Sequence, residues 1–290
     1  MIVGPTAVGK TKLSIALAKA FNAEIINGDA MQFYRGLDIG TAKIKTEEKQ
    51  GVKHHLLDIL EPEDSFSVVH YQKLVREKIA EIKVQGKLPI VVGGSGLYLN
   101  AVLYDYQFLG NERLNDSEEK FAEFSTEQLA KILIEKSPKI AQKTDLSNRR
   151  RVIRALEKQE SDLQESFSQY YDRALVIGLN LDRKTLYQRI DQRVDLMIKA
   201  GLIEEVKKLH TSKNKSQATQ AIGYKELFQY LDGEITFEQA IDLVKRNSRR
   251  YAKRQLTWFR NKMEVSWFDV DLENFDLTVG QVIDKIKEEV

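Results

Sequence analysis

The chain has 290 residues, 45 Lys and Arg against 43 Asp and Glu for a net charge of +2, and no cysteine. Without cysteine, disulfides, thiolate catalysis and cysteine zinc sites are excluded, and the composition suits a reducing cytosol. The length allows a substantial core and about two domains. The longest apolar runs, Leu88 to Val92 and Ala174 to Leu179, are far short of a membrane span and no signal-peptide pattern opens the chain, so a cytoplasmic protein without a membrane partner is expected.

Gly4-Pro5-Thr6-Ala7-Val8-Gly9-Lys10-Thr11 fits the G-x-x-x-x-G-K-[ST] phosphate loop, set between an apolar start and a helical pattern. The glycines let consecutive backbone N–H groups converge on phosphate oxygens at the positive end of the next helix. Lys10 adds a full charge, and Thr11 is placed to ligate Mg²⁺. Only Met1-Ile2-Val3 precedes the loop, so a few further strand residues are expected upstream. Such a cradle predicts an α/β fold of the P-loop NTPase type, a parallel sheet flanked by helices. It does not say which phosphate compound binds.

The helix after the loop ends near Asn22, and Ala23 to Asn27 reads as a strand running into Gly28-Asp29. Ligands of open α/β sheets bind beyond the carboxyl ends of strands, which turns Asp29 toward the phosphate compound. Asp is equally suited to capping the Ala30-Met31-Gln32 turn, and position alone leaves both roles open. Residues 32–43 have no clean period and read as a long functional loop. His54 to Ile59 is expected as a strand, with adjacent histidines on opposite faces that cannot share a metal.

A long helix opens at Ser65 or Ser67 and closes at Gly86; the buried strand Leu88 to Val92 then leads into Gly93-Gly94-Ser95-Gly96. No Asp ends that strand, which weakens an ATP-hydrolase reading. Residues 108–171, mostly charged and helical in period, form an expected all-helical insertion, leaving 1–107 and 172–290 as the P-loop-type core. Arg173 to Asn180 returns to a strand, and the helix Thr185 to Lys199 carries Arg189 and Arg193 on one face, able to lid a diphosphate or simply to be solvated. Helices are expected over Gln217 to Leu231 and Phe237 to Phe259, then a strand Val265 to Phe268 and a terminal helix. Between Asp242 and Glu264 eight Lys and Arg occur with Tyr251, Trp258 and Phe259 and no acid, the footprint of a nucleic-acid surface.

The phosphate loop, Asp29-Ala30-Met31-Gln32, Tyr34 to Lys43, Gly93 to Tyr98, Ile222-Gly223-Tyr224 and Lys253-Arg254-Gln255-Leu256-Thr257-Trp258 together closely resemble bacterial tRNA dimethylallyltransferases, nearly end to end. The resemblance implies transfer of the dimethylallyl group of dimethylallyl diphosphate to the N6 amine of the adenosine 3′ of the anticodon, in tRNAs reading codons that begin with U. The products would be N6-isopentenyladenosine and diphosphate. It implies Mg²⁺, tRNA and dimethylallyl diphosphate as partners, with the loop from Gly4 to Thr11 on the donor's diphosphate; a monomer is expected.

By the same resemblance Asp29 is the general base on the amine, Ser95 lies near the reacting centre, and Arg193 joins Lys10 on the departing diphosphate. The tRNA-contacting segments it implies are Asp29 to Gln32; Asn148, Arg149, Arg150 and Arg151; Gln220, Gly223, Tyr224 and Lys225; and Lys253, Arg254, Gln255, Trp258 and Arg260. Two departures stand out: Ala30 where the family commonly has Ser, and Lys120 where it has an arginine, which lysine cannot match as a bidentate fork. A small-molecule or nucleotide kinase on the same cradle, a nucleotide-gated RNA-binding module and prenylation of free adenine nucleotides are the competing readings.

Overall fold

The computed structural model describes residues 1–105, 120–157, 168–210 and 216–289. The chain divides into two compact units, residues 1–103 with 171–290 and residues 104–170.

In the larger unit a six-stranded sheet has the order β3-β2-β4-β1-β5-β6, with β1 Ile2–Val3, β2 Ala23–Asn27, β3 His54–His55, β4 Leu88–Val92, β5 Ile177–Asn180 and β6 Ser266–Asp269. Every pairing is parallel. Helices α1 Lys10–Ala20, α2 Val68–Val84 and α3 Gly96–Leu103 follow β1, β3 and β4. After β5 come α7 Arg183–Lys199, α8 Leu202–His210, α9 Tyr224–Leu231 and α10 Phe237–Lys262, and α11 Phe275–Glu289 closes the chain. This is the P-loop NTPase-like architecture. Ile2, Leu13, Leu17, Ile25, Ile177 and Leu179 pack α1 on the sheet in one core, and each such side chain contributes about 1.5–3 kcal/mol on burial.

Three elements depart from expectation, the first being the strand expected from Arg173, which begins only at Ile177. The strand at His54 stops after His55 because Leu56 (φ 59°) and Asp58 (φ 56°) take left-handed conformations. The helix expected over Gln217 to Leu231 is interrupted at Gly223 (φ 99°), and only Tyr224–Leu231 is α-helical. Both histidines are hydrogen-bonded, His54 Nδ1 with the Val52 carbonyl at 2.9 Å and His55 Nε2 with Glu24 at 2.6 Å.

The smaller unit contains α4 Thr126–Lys136, α5 Pro138–Lys143 and α6 Arg149–Glu157, packed through Leu129, Leu133, Ile140, Val152 and Ile153. Of the all-helical insertion expected over 108–171, residues 108–119 and 158–167 lie outside the described residues. No helix among the described residues is long and apolar enough to cross a membrane.

Glu24, the second residue of β2, is 3% exposed. Its Oε1 accepts from Lys87 Nζ at 2.6 Å, its Oε2 meets His55 Nε2 at 2.6 Å, and Lys53 stands 3.7 Å away. The Lys87 hydrogen bond, the largest of these influences, holds the carboxyl down at about 2 from an ordinary 4.5. Folding lowers this pKa, so the unfolded chain takes up a proton that the native chain refuses. The stability it contributes is complete above about pH 4.5 and drains away as the pH falls toward 2. We expect Glu24→Gln to lower stability by about 2 kcal/mol at neutral pH. The difference should vanish toward pH 2 in urea titrations followed by Trp258 and Trp267 fluorescence; an equal difference at both ends of that range would refute the account.

Candidate active site

The strands β2, β4 and β1 are neighbours in the sheet and deliver their carboxyl ends to one edge. From β1 the chain enters the phosphate loop. Gly4 (φ 143°) crosses so close to β5 that a Cβ there would stand 2.8 Å from the Leu179 carbonyl oxygen. Lys10 Nζ donates to the carbonyls of Gly4 at 2.9 Å and Pro5 at 2.7 Å, and Thr11 lies exposed in the first turn of α1.

From β2 the chain enters the Asp29 turn, where Asp29 caps the turn and also faces the cations of the phosphate-loop side. Its Oδ1 accepts the Met31 N–H at 3.1 Å, capping the turn Ala30–Phe33. The same carboxylate lies within electrostatic reach of Lys10 and Arg193. Asn27 fixes the turn from below, accepting the Asp29 N–H at 2.9 Å and donating to the Asp29 carbonyl at 3.0 Å.

From β4 the chain enters the glycine run, and packing explains its composition. A Cβ on Gly93 would meet the Gly28 carbonyl oxygen at 2.0 Å, one on Gly94 the Gln255 Nε2 at 2.1 Å, and one on Gly96 the Trp258 ring at 2.2 Å. Only bare backbone lets the ends of β2 and β4 and the flank of α10 come together. Ser95, left with a side chain, accepts the Ala30 N–H at 3.1 Å.

Helix α10 ties these pieces into one site. Gln255 accepts the Thr6 N–H at 3.0 Å and donates to the Gly94 carbonyl at 2.9 Å, bridging the phosphate loop to the glycine run. One turn earlier the Tyr251 hydroxyl is hydrogen-bonded to Ser95 and Gln255, and burial pushes that phenol well above its ordinary pKa. From α7, Arg189 Nε donates to the Ala7 carbonyl at 3.0 Å and Arg193 Nη1 to Thr6 Oγ1 at 3.5 Å. Together they enclose a cavity of about 740 Å³, lined among others by Lys10, Thr11, Asp29, Ser95, Arg193 and Tyr251.

Charge within this cavity is strongly perturbed. Lys10, Asp29 and Arg193 remain partly accessible from the cavity yet are enclosed by protein on all other sides. Burial draws Lys10 down to about 8, with Asp29 opposing and Arg193 assisting. Burial likewise raises the Asp29 carboxyl, against the Met31 hydrogen bond and the two cations, and lowers Arg193. Two cations and a carboxylate thus share a poorly solvated space, where charges act more strongly than in water. The set suits an anion with a weakly basic partner beside it.

The remaining expected residues divide by burial. Ala30, Met31, Gln32, Gln220, Gly223, Lys225 and Arg254 line the cavity. Lys253 and Arg260 are exposed, the latter donating to Asn180 Oδ1 at 3.2 Å. Tyr224, however, is wholly buried with its hydroxyl on Glu205, Gln255 is 5% exposed and committed to the loops, and Trp258 packs on Gly96. Tyr224 and Trp258 support the surface from behind, while Gln255 lines the cavity as a brace between its loops. In α10, Lys245 and Arg249 pair with Asp195 and Asp191 of α7, so the outward charge is carried by Arg246, Arg250, Lys253, Arg254, Arg260 and Lys262.

In the smaller unit Asn148 and Arg151 are exposed, Arg151 beside Asp145 at 3.4 Å, and Arg150 is exposed as well. Arg149 instead donates to the carbonyls of Phe121 and Phe124, bracing its own unit, and Lys120 lies over the Phe121 ring at 5.8 Å. The sequence reasoning missed Gln255 as a loop brace, Tyr251 and Glu205. For the first two a signal existed, since Tyr251 and Gln255 are four apart on one helical face.

A family model described as IPP transferase matches residues 32–262. A tRNA dimethylallyltransferase of Bacillus velezensis is 53% identical over 289 residues, which span 94% of this chain and 92% of that relative. The crystal structure of the full-length tRNA isopentenylpyrophosphate transferase of Bacillus halodurans is similar with a TM-score of 0.74 at 48% identity, covering 99% of this chain and 96% of that one. A eukaryotic dimethylallyltransferase acting on tRNA gives a TM-score of 0.83 at 28% identity, covering 100% of this chain and 79% of that one. With a phosphate loop, a facing carboxylate and a basic helix in one fold, and with likeness of this extent on both sequence and structure, the chain belongs to the IPP transferase family.

Proposed function

We propose that this chain transfers a dimethylallyl group from dimethylallyl diphosphate to the N6 amine of the adenosine 3′ of the anticodon, in tRNAs reading codons that begin with U. The observation that carries the reading is the meeting of Lys10, Arg193 and Asp29 in one cavity. Lys10, Arg193 and the loop amides fit a diphosphate, and Asp29 stands beside it where an amine could approach.

In the transfer, the bond between the allylic carbon and the diphosphate oxygen breaks with its electron pair on the oxygen, and N6 bonds to that carbon. The N6 proton passes to the Asp29 carboxylate. An exocyclic amine is a weak nucleophile, so a carboxylate that accepts its proton as positive charge develops lowers the barrier. The raised pKa of Asp29 makes it a better proton acceptor than an exposed Asp, and Lys10 and Arg193 hold the departing anion. The target base must leave its stack to reach this cavity.

Thr11 fits Mg²⁺ as a hydroxyl ligand, opening into the cavity at the start of α1, and no group of three or more acidic or histidine side chains among the described residues offers another metal site. When bound, such an ion adds positive charge against the diphosphate. The outward basic residues of α10 supply phosphate contacts for RNA, and the exposed Asn148, Arg150 and Arg151 of the smaller unit offer a second such surface.

The direct test is incubation with labelled dimethylallyl diphosphate and unmodified tRNA; label that stays out of the tRNA would sink the proposal. Replacing Asp29 with Asn should reduce kcat by about 10²- to 10⁴-fold with tRNA affinity nearly kept, and an equally active variant would remove Asp29 from the chemistry.

Asp29 acts as a carboxylate and Lys10 as an ammonium group. Activity therefore rises with pH through the Asp29 pKa, above the usual carboxylate range, and falls again near pH 8 as Lys10 loses its proton. The expected kcat/KM profile is a bell, and a flat alkaline side would contradict the role of Lys10. The RNA surface predicts a further contrast. Alanine at Arg250 or Lys253 should each lower the slope of log affinity for tRNA against log salt by about 1, whereas alanine at the paired Lys245 should leave it unchanged.

A further inference from the structure

Part of the cavity wall is a loop with no strand or helix to hold it: Gly40, Thr41 and Ala42 line the cavity and belong to the irregular stretch after the Asp29 turn. The backbone there turns so that three successive N–H groups, those of Asp38, Ile39 and Gly40, point at one place. Such a concavity suits an anion. The protein supplies the anion itself. Glu205 of α8 accepts the Asp38 and Ile39 N–H groups on Oε2 at 2.9 and 2.8 Å, and the Gly40 N–H on Oε1 at 2.9 Å.

The same Oε1 accepts the Tyr224 hydroxyl at 2.6 Å. Tyr224 is wholly buried, and a Cβ on Gly40 would stand 2.6 Å from its ring, so the loop and the start of α9 are in direct contact. Immediately before Tyr224, residues 221–223 line the cavity. On the other side, the Thr41 carbonyl accepts from Gln32 Nε2 at 3.1 Å, joining the loop to the Asp29 turn. One carboxylate therefore reaches, through four hydrogen bonds, two stretches of cavity wall and through one more the turn that carries Asp29.

We propose that Glu205 is a positioning residue: it touches no substrate, but sets the part of the cavity wall that receives the RNA base by pinning residues 38–40 and Tyr224. The identity of the base rests on the transfer reading above; the pinning rests on the hydrogen bonds alone. A role confined to general stability would weaken both substrates alike. Pinning of this wall acts on the RNA side, because the phosphate loop is held by other groups, Gln255, Arg189 and Arg193.

The test is Glu205→Gln, which keeps the side chain's shape but turns one acceptor oxygen into an N–H donor facing the Gly40 N–H. We expect KM for tRNA to rise about tenfold, the scale of one lost hydrogen bond to a charged group, with KM for dimethylallyl diphosphate changed less than about twofold. The change Tyr224→Phe removes one bond and leaves the nest filled, so it should raise KM for tRNA less than Glu205→Gln does. Equal rises in both KM values, or no rise for tRNA, would overturn the proposal. Hydrogen exchange on the unaltered protein is independent of whether either variant folds and of whether the transfer reading is right. Slow exchange at the amides of Asp38, Ile39 and Gly40 supports the pin, and exchange at the rate of an open loop refutes it. Absence of transfer by the unaltered protein would count against the transfer reading and leave the exchange result standing.

Discussion

The site depends on three strand ends meeting at closer than ordinary side-chain distance and being held there by the amide of Gln255. Gly28 and Gly93 touch backbone to backbone, and Gly94 leaves the space that the Gln255 amide fills. That amide uses its oxygen on the phosphate loop and its nitrogen on the glycine run. Its two bonds are mutually exclusive with any other orientation of the group, since exchanging O and N would set donor against donor at Thr6 and acceptor against acceptor at Gly94. A buried amide satisfied at both ends is a strong orienting device, because leaving either end unpaired costs more than the bond contributes.

The charges inside this frame follow from it. Enclosing Lys10, Arg193 and Asp29 in one cavity removes water from all three, and each is pushed toward its neutral form. An incoming diphosphate would reverse the balance for the two cations, restoring to Lys10 the partner that burial denies it. The arrangement thus favours the anion most when it carries the greatest charge, which in a group transfer is at departure. Arg189 and Arg193 are oriented beforehand by the loop they would help to close, through Ala7 and Thr6.

Much of this was legible in the sequence because it is local. A phosphate loop is specified by eight consecutive residues, and the strand endings at Asp29 and Ser95 follow from hydrophobic runs that stop at glycine. What was not legible depends on approach between distant segments. Tyr224 and Trp258 look like exposed aromatic contacts until Gly40 and Gly96 prove to be cut away to receive them. Glu205 sits in an ordinary-looking amphipathic helix, and its task is set by a loop more than 160 residues earlier. The shortened strand at His55 and the helix break at Gly223 come from individual residues with positive φ, Leu56 and Asp58 in the first case and Gly223 in the second, which no periodicity shows.

Helix α10 shows why a run of charge needs its periodicity resolved before a role is assigned. Across its 26 residues, Val244, Ala252 and Phe259 face the core, Ser248, Tyr251 and Gln255 face the cavity, and Lys245 and Arg249 lean on α7. Arg246, Arg250, Lys253 and Arg260 are left pointing outward. A helix that merely solvated its charge would have no reason to set a tyrosine against Ser95 and a glutamine against the phosphate loop. Because one rigid rod carries both faces, a polyanion seated on the outer charges and the loop amides braced by Gln255 share a single mechanical support. Any tilt of the rod that spoiled the outer contacts would also withdraw Gln255 from Thr6.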